Sequence, residues 1–254
     1  MSTEFDVSAF GIQLDVEFHQ PLSDDHPDWT ESYFFDWYDA LGSNAGHCRV
    51  GWHPVQQRIL FWLYLYNGSE WLVIEEYRLP FSALRLGCED SPGAAKNAFS
   101  YEGWGLAFKY QPQQPLRTGQ LSVSGFARVL CGKRQGMIKP VELELTISAI
   151  GPPYSRGGGA VESHSADNFS TDRYEQPTQS QGWMTIDVER TELTVRGARD
   201  HSWVPRPWDM RWPSLFVSTE RFSLLATQGQ IPEWPLITMG YYHGHGEAME
   251  QLAE

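Results

Sequence analysis

Strict alternation between apolar and polar side chains is the feature that most limits what this chain can fold into. Val141, Leu143, Leu145 and Ile147 interleave with Glu142, Glu144, Thr146 and Ser148. Successive side chains of an extended strand point to opposite faces, so this pattern builds a strand with one buried and one wet face. Leu121, Val123, Gly125, Ala127 and Val129 repeat it, as do Met184, Ile186 and Val188, then Leu193 and Val195. Residues 60–66 are apolar on both faces, with Leu60, Trp62, Tyr64 and Tyr66 on one and Phe61, Leu63 and Leu65 on the other. A strand of that kind is covered twice, by packed protein on one side and by an aromatic cavity on the other. Turn signals punctuate the runs at Asn67-Gly68, Thr118-Gly119, Cys131-Gly132-Lys133, Glu189-Arg190-Thr191 and Gln228-Gly229. No long stretch carries a clean 3.6-residue apolar stripe, which leaves only short helical pieces near 32–40 or 92–99. Many short strands between regular turns predict an all-β chain of barrels or a sandwich.

A chain of 254 residues suits one large all-β domain or two small ones. Residues 151–176 are rich in Gly, Pro and Ser and hardly alternate, as a linker or long loop would be. They divide the chain near 155 into an N-terminal region, 1–155, and a C-terminal region, 156–254. The net charge of −13, from 19 Lys and Arg against 32 Asp and Glu, repels phosphate backbones and argues against nucleic acid. Cys48, Cys88 and Cys131 are odd in number and widely spaced, so they read as buried free thiols of a reducing compartment. The acidic N-terminus lacks the basic region of a signal peptide, and the longest apolar run, 59–66, is too short to span a bilayer. The expectation is a cytoplasmic protein with no integral membrane segment.

Eleven Trp, eleven Tyr and thirteen Phe are more large rings than simple packing of such a chain absorbs, which points to a cavity walled by aromatics. The stretch RGARDHSWVPRPW, 196–208, concentrates candidate chemistry. If it is extended, Arg199, His201 and Trp203 share one face, and Asp200 and Ser202 the other. An imidazole beside an indole on a cavity wall can act as general acid or base near neutral pH, oriented by Asp200 if the strand kinks. The same residues equally suit an Arg–Asp pair closing a strand end, with His201 hydrogen-bonded in place. In DRYEQ, 172–176, Tyr174 and Gln176 share a face and Glu175 takes the other, as a buried acid or a paired strand charge. The stretch 25–39 gathers His26, Trp29, Glu31, Tyr33, Asp36 and Trp37, either lining a pocket or forming an amphipathic entry strand. In YYHGHGEAME, 241–250, Tyr241 or Tyr242 is a candidate cavity hydroxyl, and His243, His245 and Glu247 have the spacing of a metal site, the less favoured reading. No Walker A loop, dinucleotide-binding glycine motif, G-x-S-x-G or H-E-x-x-H is found, so no cofactor is expected.

VRGARDHSW followed by Arg206-Pro207-Trp208 resembles the G-x-R-D-H-S-W-G-x-R signature of the carotenoid 1,2-hydratase (hydroxyneurosporene synthase) and AttH-like group. YEQ…GW upstream and the aromatic GHCRVGWHP…RILFWLYLY are similar to that group as well. The resemblance implies two lipocalin-like (calycin-type) β-barrel halves with the pocket near their junction, and a lyase, hydratase or isomerase that acts on hydrophobic molecules without a redox cofactor. It implies His201 as acid–base residue, Trp203 against the substrate, and Asp200 and Arg199 in support. Val204 stands where the group has Gly, and the chain stops soon after MGYYHGHGE. The second barrel is therefore abbreviated, open, or completed by a partner chain in a homodimer. The expected ligand is an isoprenoid or an aromatic, phenolic molecule, bound by Arg199, Tyr174, Glu175, Trp62, Tyr64, Tyr242 and Trp29. The alternatives are a non-catalytic lipocalin-like carrier and a metal-dependent β-barrel enzyme using His243, His245 and Glu247.

Overall fold

The computed structural model of the chain describes residues 5–9, 11–20, 26–87, 98–155, 173–205, 211–230, 232 and 236–252. The fold is all-β, with two short 3-10 turns, Leu14–Glu17 and Phe81–Ala83, as its helical content among these residues. Strands β1 (Trp29–Tyr38), β2 (Ala45–His53), β3 (Arg58–Tyr66) and β4 (Trp71–Pro80) form an antiparallel meander. The chain continues through β5 (Arg85–Leu86), β6 (Phe99–Gly103), β7 (Leu106–Gln114), β8 (Thr118–Cys131) and β9 (Ile138–Ala149). Two long strands follow, β10 (Arg173–Ile186) and β11 (Glu189–Pro205).

Neighbour order β4-β3-β2-β1-β11-β10-β9-β8 closes into a ring where β4 pairs with β8, at Leu72↔Val129 and Val73↔Arg128; β7, β6 and β5 extend the sheet beyond β8. Closure leaves no free edge among those eight strands, and an eight-stranded barrel is just wide enough for side chains to fill. Phe35, Phe61, Leu63, Val123, Leu143 and their neighbours do fill it as one packed core. The inward residues are the alternating sets read from the sequence, Val141 to Ile147 on β9 and Leu121 to Val129 on β8. On β3, Phe61, Leu63 and Leu65 point in while Trp62, Tyr64 and Tyr66 lie half-buried on the outer face.

The remaining strands, β12 (Ser214–Ser218), β13 (Phe222–Gly229), β14 (Ile237–Gly244) and β15 (Met249–Gln251), make an open four-stranded sheet, the abbreviated form of a second half. The expected boundary at 155 does not separate a first barrel from a second, because β9 and β10, on either side of it, are neighbours in the same ring. Local expectations also need correction. Residues 29–38 are strand, not helix; those at 92–97 lie outside the described residues. Thr118-Gly119 belongs to β8, and the preceding turn carries Leu116 in the left-handed region at φ 57. The β10–β11 turn is Asp187-Val188, not 189–191, with Asp187 at φ 59. Cys48 is buried and its thiol pushed up by burial, Cys131 is exposed, and Cys88 lies outside the described residues. No helix among the described residues is long and apolar enough to cross a membrane.

Candidate functional site

The outer face of the ring carries side chains in rows that the strand pairing dictates. One row runs Trp62, Arg49, Phe34, Asp200, Glu175 across β3, β2, β1, β11 and β10. The next holds Tyr64, His47 and Asp36, with Asp36 Oδ1 accepting the Ala198 N–H at 2.5 Å. On the other side Ser32, Ser202 and Arg173 stand in line. Gly197 permits this closeness, since a Cβ there would lie 1.9 Å from the Asp36 carbonyl oxygen. The four-stranded sheet roofs these rows with Phe216 and Leu225, and Trp212 precedes it. Between floor and roof lies a cavity of about 600 Å³ lined by Asp36, Glu175, Asp200, Arg173, Arg49 and His47 and by the rings of Phe34, Trp62, Trp71, Trp212 and Phe216.

Charge in this cavity is poorly hydrated, and the carboxyls respond. Burial pushes Asp36 up to about 7, against the hydrogen bond from Ala198 and helped by repulsion from Asp200. Burial raises Glu175 as well, opposed by Arg173 and reinforced by Asp200 and Asp36. Arg173 spans the two carboxylates, with Nη2 against Glu175 Oε1 and 3.0 Å from Asp200 Oδ2. Its guanidinium lies 5.2 Å from the Trp212 ring centre, and Arg49 lies 4.8 Å from that of Trp62. Burial lowers Arg49 to about 10 and His47 below its ordinary value. Carboxyls tuned toward neutrality beside fixed guanidiniums, in an aromatic cleft, are equipped to give and take protons.

The sequence-derived residues divide between this cavity and the far side of the same sheet. Asp200, Glu175 and Trp62 line the cavity, and Tyr64 stands beside it, its ring 4.7 Å from His47 and its hydroxyl on Glu75. Arg199, His201, Trp203 and Tyr174 are together as expected, but at the barrel mouth. There the N-terminal segment covers His201, which is 0% exposed and stacked on Tyr33 at 3.9 Å. Its Nδ1 is 2.6 Å from the Val16 carbonyl and its Nε2 3.0 Å from Glu31. Both nitrogens thus have partners within the chain. Burial alone would raise Glu31, yet its bonds to His19 and His201 hold it below its ordinary value. Trp203 packs against His201 at 4.8 Å, and Trp29 is buried at this end, paired with Pro205. Tyr242 is half-buried on the second sheet, stacked on Phe222 at 5.7 Å; Tyr241 faces the other way, buried beside Tyr154.

His243 and His245 lie 5.6 Å apart, but His245 bonds Ser223 and the Glu220 carbonyl, and Glu247 is in the following turn. Among the described residues no three His, Cys, Asp or Glu side chains come together as a metal site. Arg173, Arg49 and His47 are pocket residues that sequence reading did not single out. Arg173 carried a signal, since it shares the Glu175 face in the alternation of DRYEQ. Arg49 and His47 lie in GHCRVGWHP, a stretch noted for its resemblance but without a role for either residue.

A family model described as "Domain of unknown function (DUF7064)" matches residues 13–254. The fold is similar to that of CghA, in a crystal structure with Sch210972, at a TM-score of 0.54 and 12% identity over 87% of this chain and 59% of that one. It is also similar to an AttH-type protein from Nitrosomonas europaea, at a TM-score of 0.56 and 11% identity over 90% of this chain and 69% of that one. This chain thus spans 59% of the length of CghA. No curated protein matches. At these identities the likeness is one of fold, the lipocalin-like β-barrel.

Proposed function

The chain belongs to the family described as a domain of unknown function, DUF7064, and from that premise we propose that it is an acid–base enzyme, a lyase, hydratase or isomerase, acting on a hydrophobic small molecule in the cavity between the barrel and the second sheet. The observation that carries this reading is the cavity's pair of carboxyls raised toward neutrality, Asp36 and Glu175, beside an Arg173–Asp200 contact and a wall of aromatic rings. The resemblance of VRGARDHSW to the carotenoid 1,2-hydratase and AttH-like signature supports it, and so does a fold neighbour crystallised with a small molecule.

In this reading Glu175, kept protonated by burial, gives its proton to a carbon or oxygen of the substrate. Asp200, held by Arg173, takes a proton from water or from a substrate C–H. Proton exchange between the two carboxyls and solvent then restores the starting state. Acid–base catalysis of this kind contributes roughly 10²–10⁴-fold, and orientation against Trp62 and Trp212 supplies further acceleration. His201 is assigned a structural role, tying β11 to the N-terminal segment and to Glu31. Isoprenoid and phenolic ligands both suit the aromatic walls.

The test is product formation from a panel of isoprenoid alcohols and substituted phenols. Glu175→Gln removes product while ligand still quenches tryptophan fluorescence; His201→Gln, in protein that remains folded, keeps turnover. Undiminished product from Glu175→Gln overturns the assignment. Binding without turnover by the unaltered protein favours the second reading, a carrier that uses the same cavity.

A further inference from the structure

We infer that the barrel mouth is a binding site for an apolar monocarboxylate, which the chain fills with its own Glu17, residues 11–20 forming a displaceable strap over it. Glu17 is 0% exposed and its carboxylate is met from five directions. Tyr110 Oη at 2.8 Å and Arg199 Nη1 at 3.0 Å donate to Oε1. Leu116 N at 3.0 Å, Arg199 Nη2 at 3.0 Å and Tyr174 Oη at 3.2 Å donate to Oε2. A planar fork, two phenols and a backbone N–H are the donor set that recognises a carboxylate.

Barrel residues outside the strap also hold these donors. Gln176 Oε1 accepts from Arg199 Nε and Nη2 at 3.0 and 2.7 Å, and Gln176 Nε2 donates to the Leu116 and Gly151 carbonyls. Leu116 takes the left-handed conformation, φ 57, which is strained for a residue with a Cβ. That conformation belongs to the turn carrying the N–H aimed at the carboxylate. Backbone strain of this sort persists where surroundings over-determine it, and it concentrates at ligand clamps.

The strap is attached in a different manner. Its own backbone hydrogen bonds are local, Gly11 to Ser8, Val16 to Gln13 and Phe18 to Asp15. Among the described residues it makes no backbone-to-backbone bond to the barrel. Side chains supply its hold: the Glu17 carboxylate, Tyr33 Oη on the Glu17 carbonyl at 3.0 Å, His201 on the Val16 carbonyl, and Glu31 on His19 and the Gln20 N–H. A segment fastened without a ladder opens at lower free energy than a strand. Ile12 and Val16 pack on Leu116 and Tyr174, so branched apolar groups sit beside the carboxylate. The strap is thus a cast of an apolar acid, and such an acid competes with it by mass action. This site lies on the opposite face of the sheet from the outer cavity and stands whether or not that cavity is catalytic.

Hydrogen–deuterium exchange on the full chain, with hexanoate and with hexanol, tests the inference. Hexanoate is expected to speed exchange across residues 11–20 saturably and at least tenfold, while hexanol at equal concentration leaves it unchanged. Tyr174→Phe, which deletes one donor, weakens the hexanoate effect several-fold, and Glu17→Gln, which loosens the strap, lowers the hexanoate concentration needed about tenfold. Unchanged exchange over 11–20 at high hexanoate, or an equal effect of hexanol, overturns the inference and leaves Glu17 as a structural ion pair. The unaltered chain decides this even if neither variant folds.

Discussion

The two faces of β11 hold adjacent residues in opposite physical states. On the inner face Arg199 and His201 are 2% and 0% exposed, with Glu17 3.0 Å from the Arg199 guanidinium and Glu31 3.0 Å from the His201 imidazole. On the outer face, beside Asp200, the carboxyls of Asp36 and Glu175 are raised by burial and border an unfilled cleft. Inner groups have satisfied one another and hold the barrel mouth shut. Outer groups line a cavity instead. A dense cluster of polar residues therefore marks a functional surface only where it borders open volume. One strand presents a closed network and an open one, a single residue apart.

That contrast is open to attack at four points, of decreasing severity. Gly197→Ala strikes both faces, because its Cβ would sit 1.9 Å from the Asp36 carbonyl and force β1 and β11 apart. A loss of about 4 kcal/mol or more is expected in urea unfolding, and a loss near zero would mean that the close approach is unimportant. Glu17→Ala strikes the inner face alone and leaves Arg199 buried without its carboxylate. It is expected to cost about 3–5 kcal/mol, while ligand binding in the outer cavity, measured on the folded fraction, stays as before.

Asp36→Asn strikes the outer face with the opposite sign. Folded Asp36 keeps its proton up to about pH 7 but unfolded only to about its ordinary 3.8. The folded state therefore binds more protons between those values, and the group's contribution to stability falls as pH rises from about 4 to 7. Asn cannot ionise, so at pH 8 the variant gains on the unaltered protein by up to about 4 kcal/mol, and the gain vanishes near pH 4. A stability difference that does not change with pH would show Asp36 to be an ordinary carboxylate. Trp62→Ala removes the ring under Arg49 and is expected to cost about 1 kcal/mol of stability while weakening aromatic ligands several-fold. Equal binding with and without that ring would place ligands elsewhere in the cleft.

Much of the strand framework was legible, because burial on one face imposes a period of two that survives in the sequence. The buried faces of β8 and β9, the double cover of β3 and the partition of 199, 201 and 203 from 200 and 202 follow from it. Turns were less legible where tertiary contacts chose the conformation. Leu116 is a disfavoured left-handed residue by local chemistry, and the Glu17 carboxylate bound by its N–H helps hold that turn. The Gly, Pro and Ser of 151–176 carry no information about which strand the chain joins afterwards, and Arg173–Gln176 already belong to β10. The metal spacing in 241–250 failed because Ser223 and the Glu220 carbonyl, distant in sequence, claim His245.

By itself the amino-acid order determined that the chain is all-β, which residues share a face, and that Arg, Asp, His and Trp meet near 199–203. Alternation is a local property, and each strand records its own. Only the tertiary structure decided which face turns inward, because both faces of β11 are polar and nothing in one strand distinguishes the barrel mouth from the outer wall. The segment at 11–20 and the sheet at 214–251 made that distinction. One sealed the histidine away, and the other roofed the carboxyls without filling the space above them.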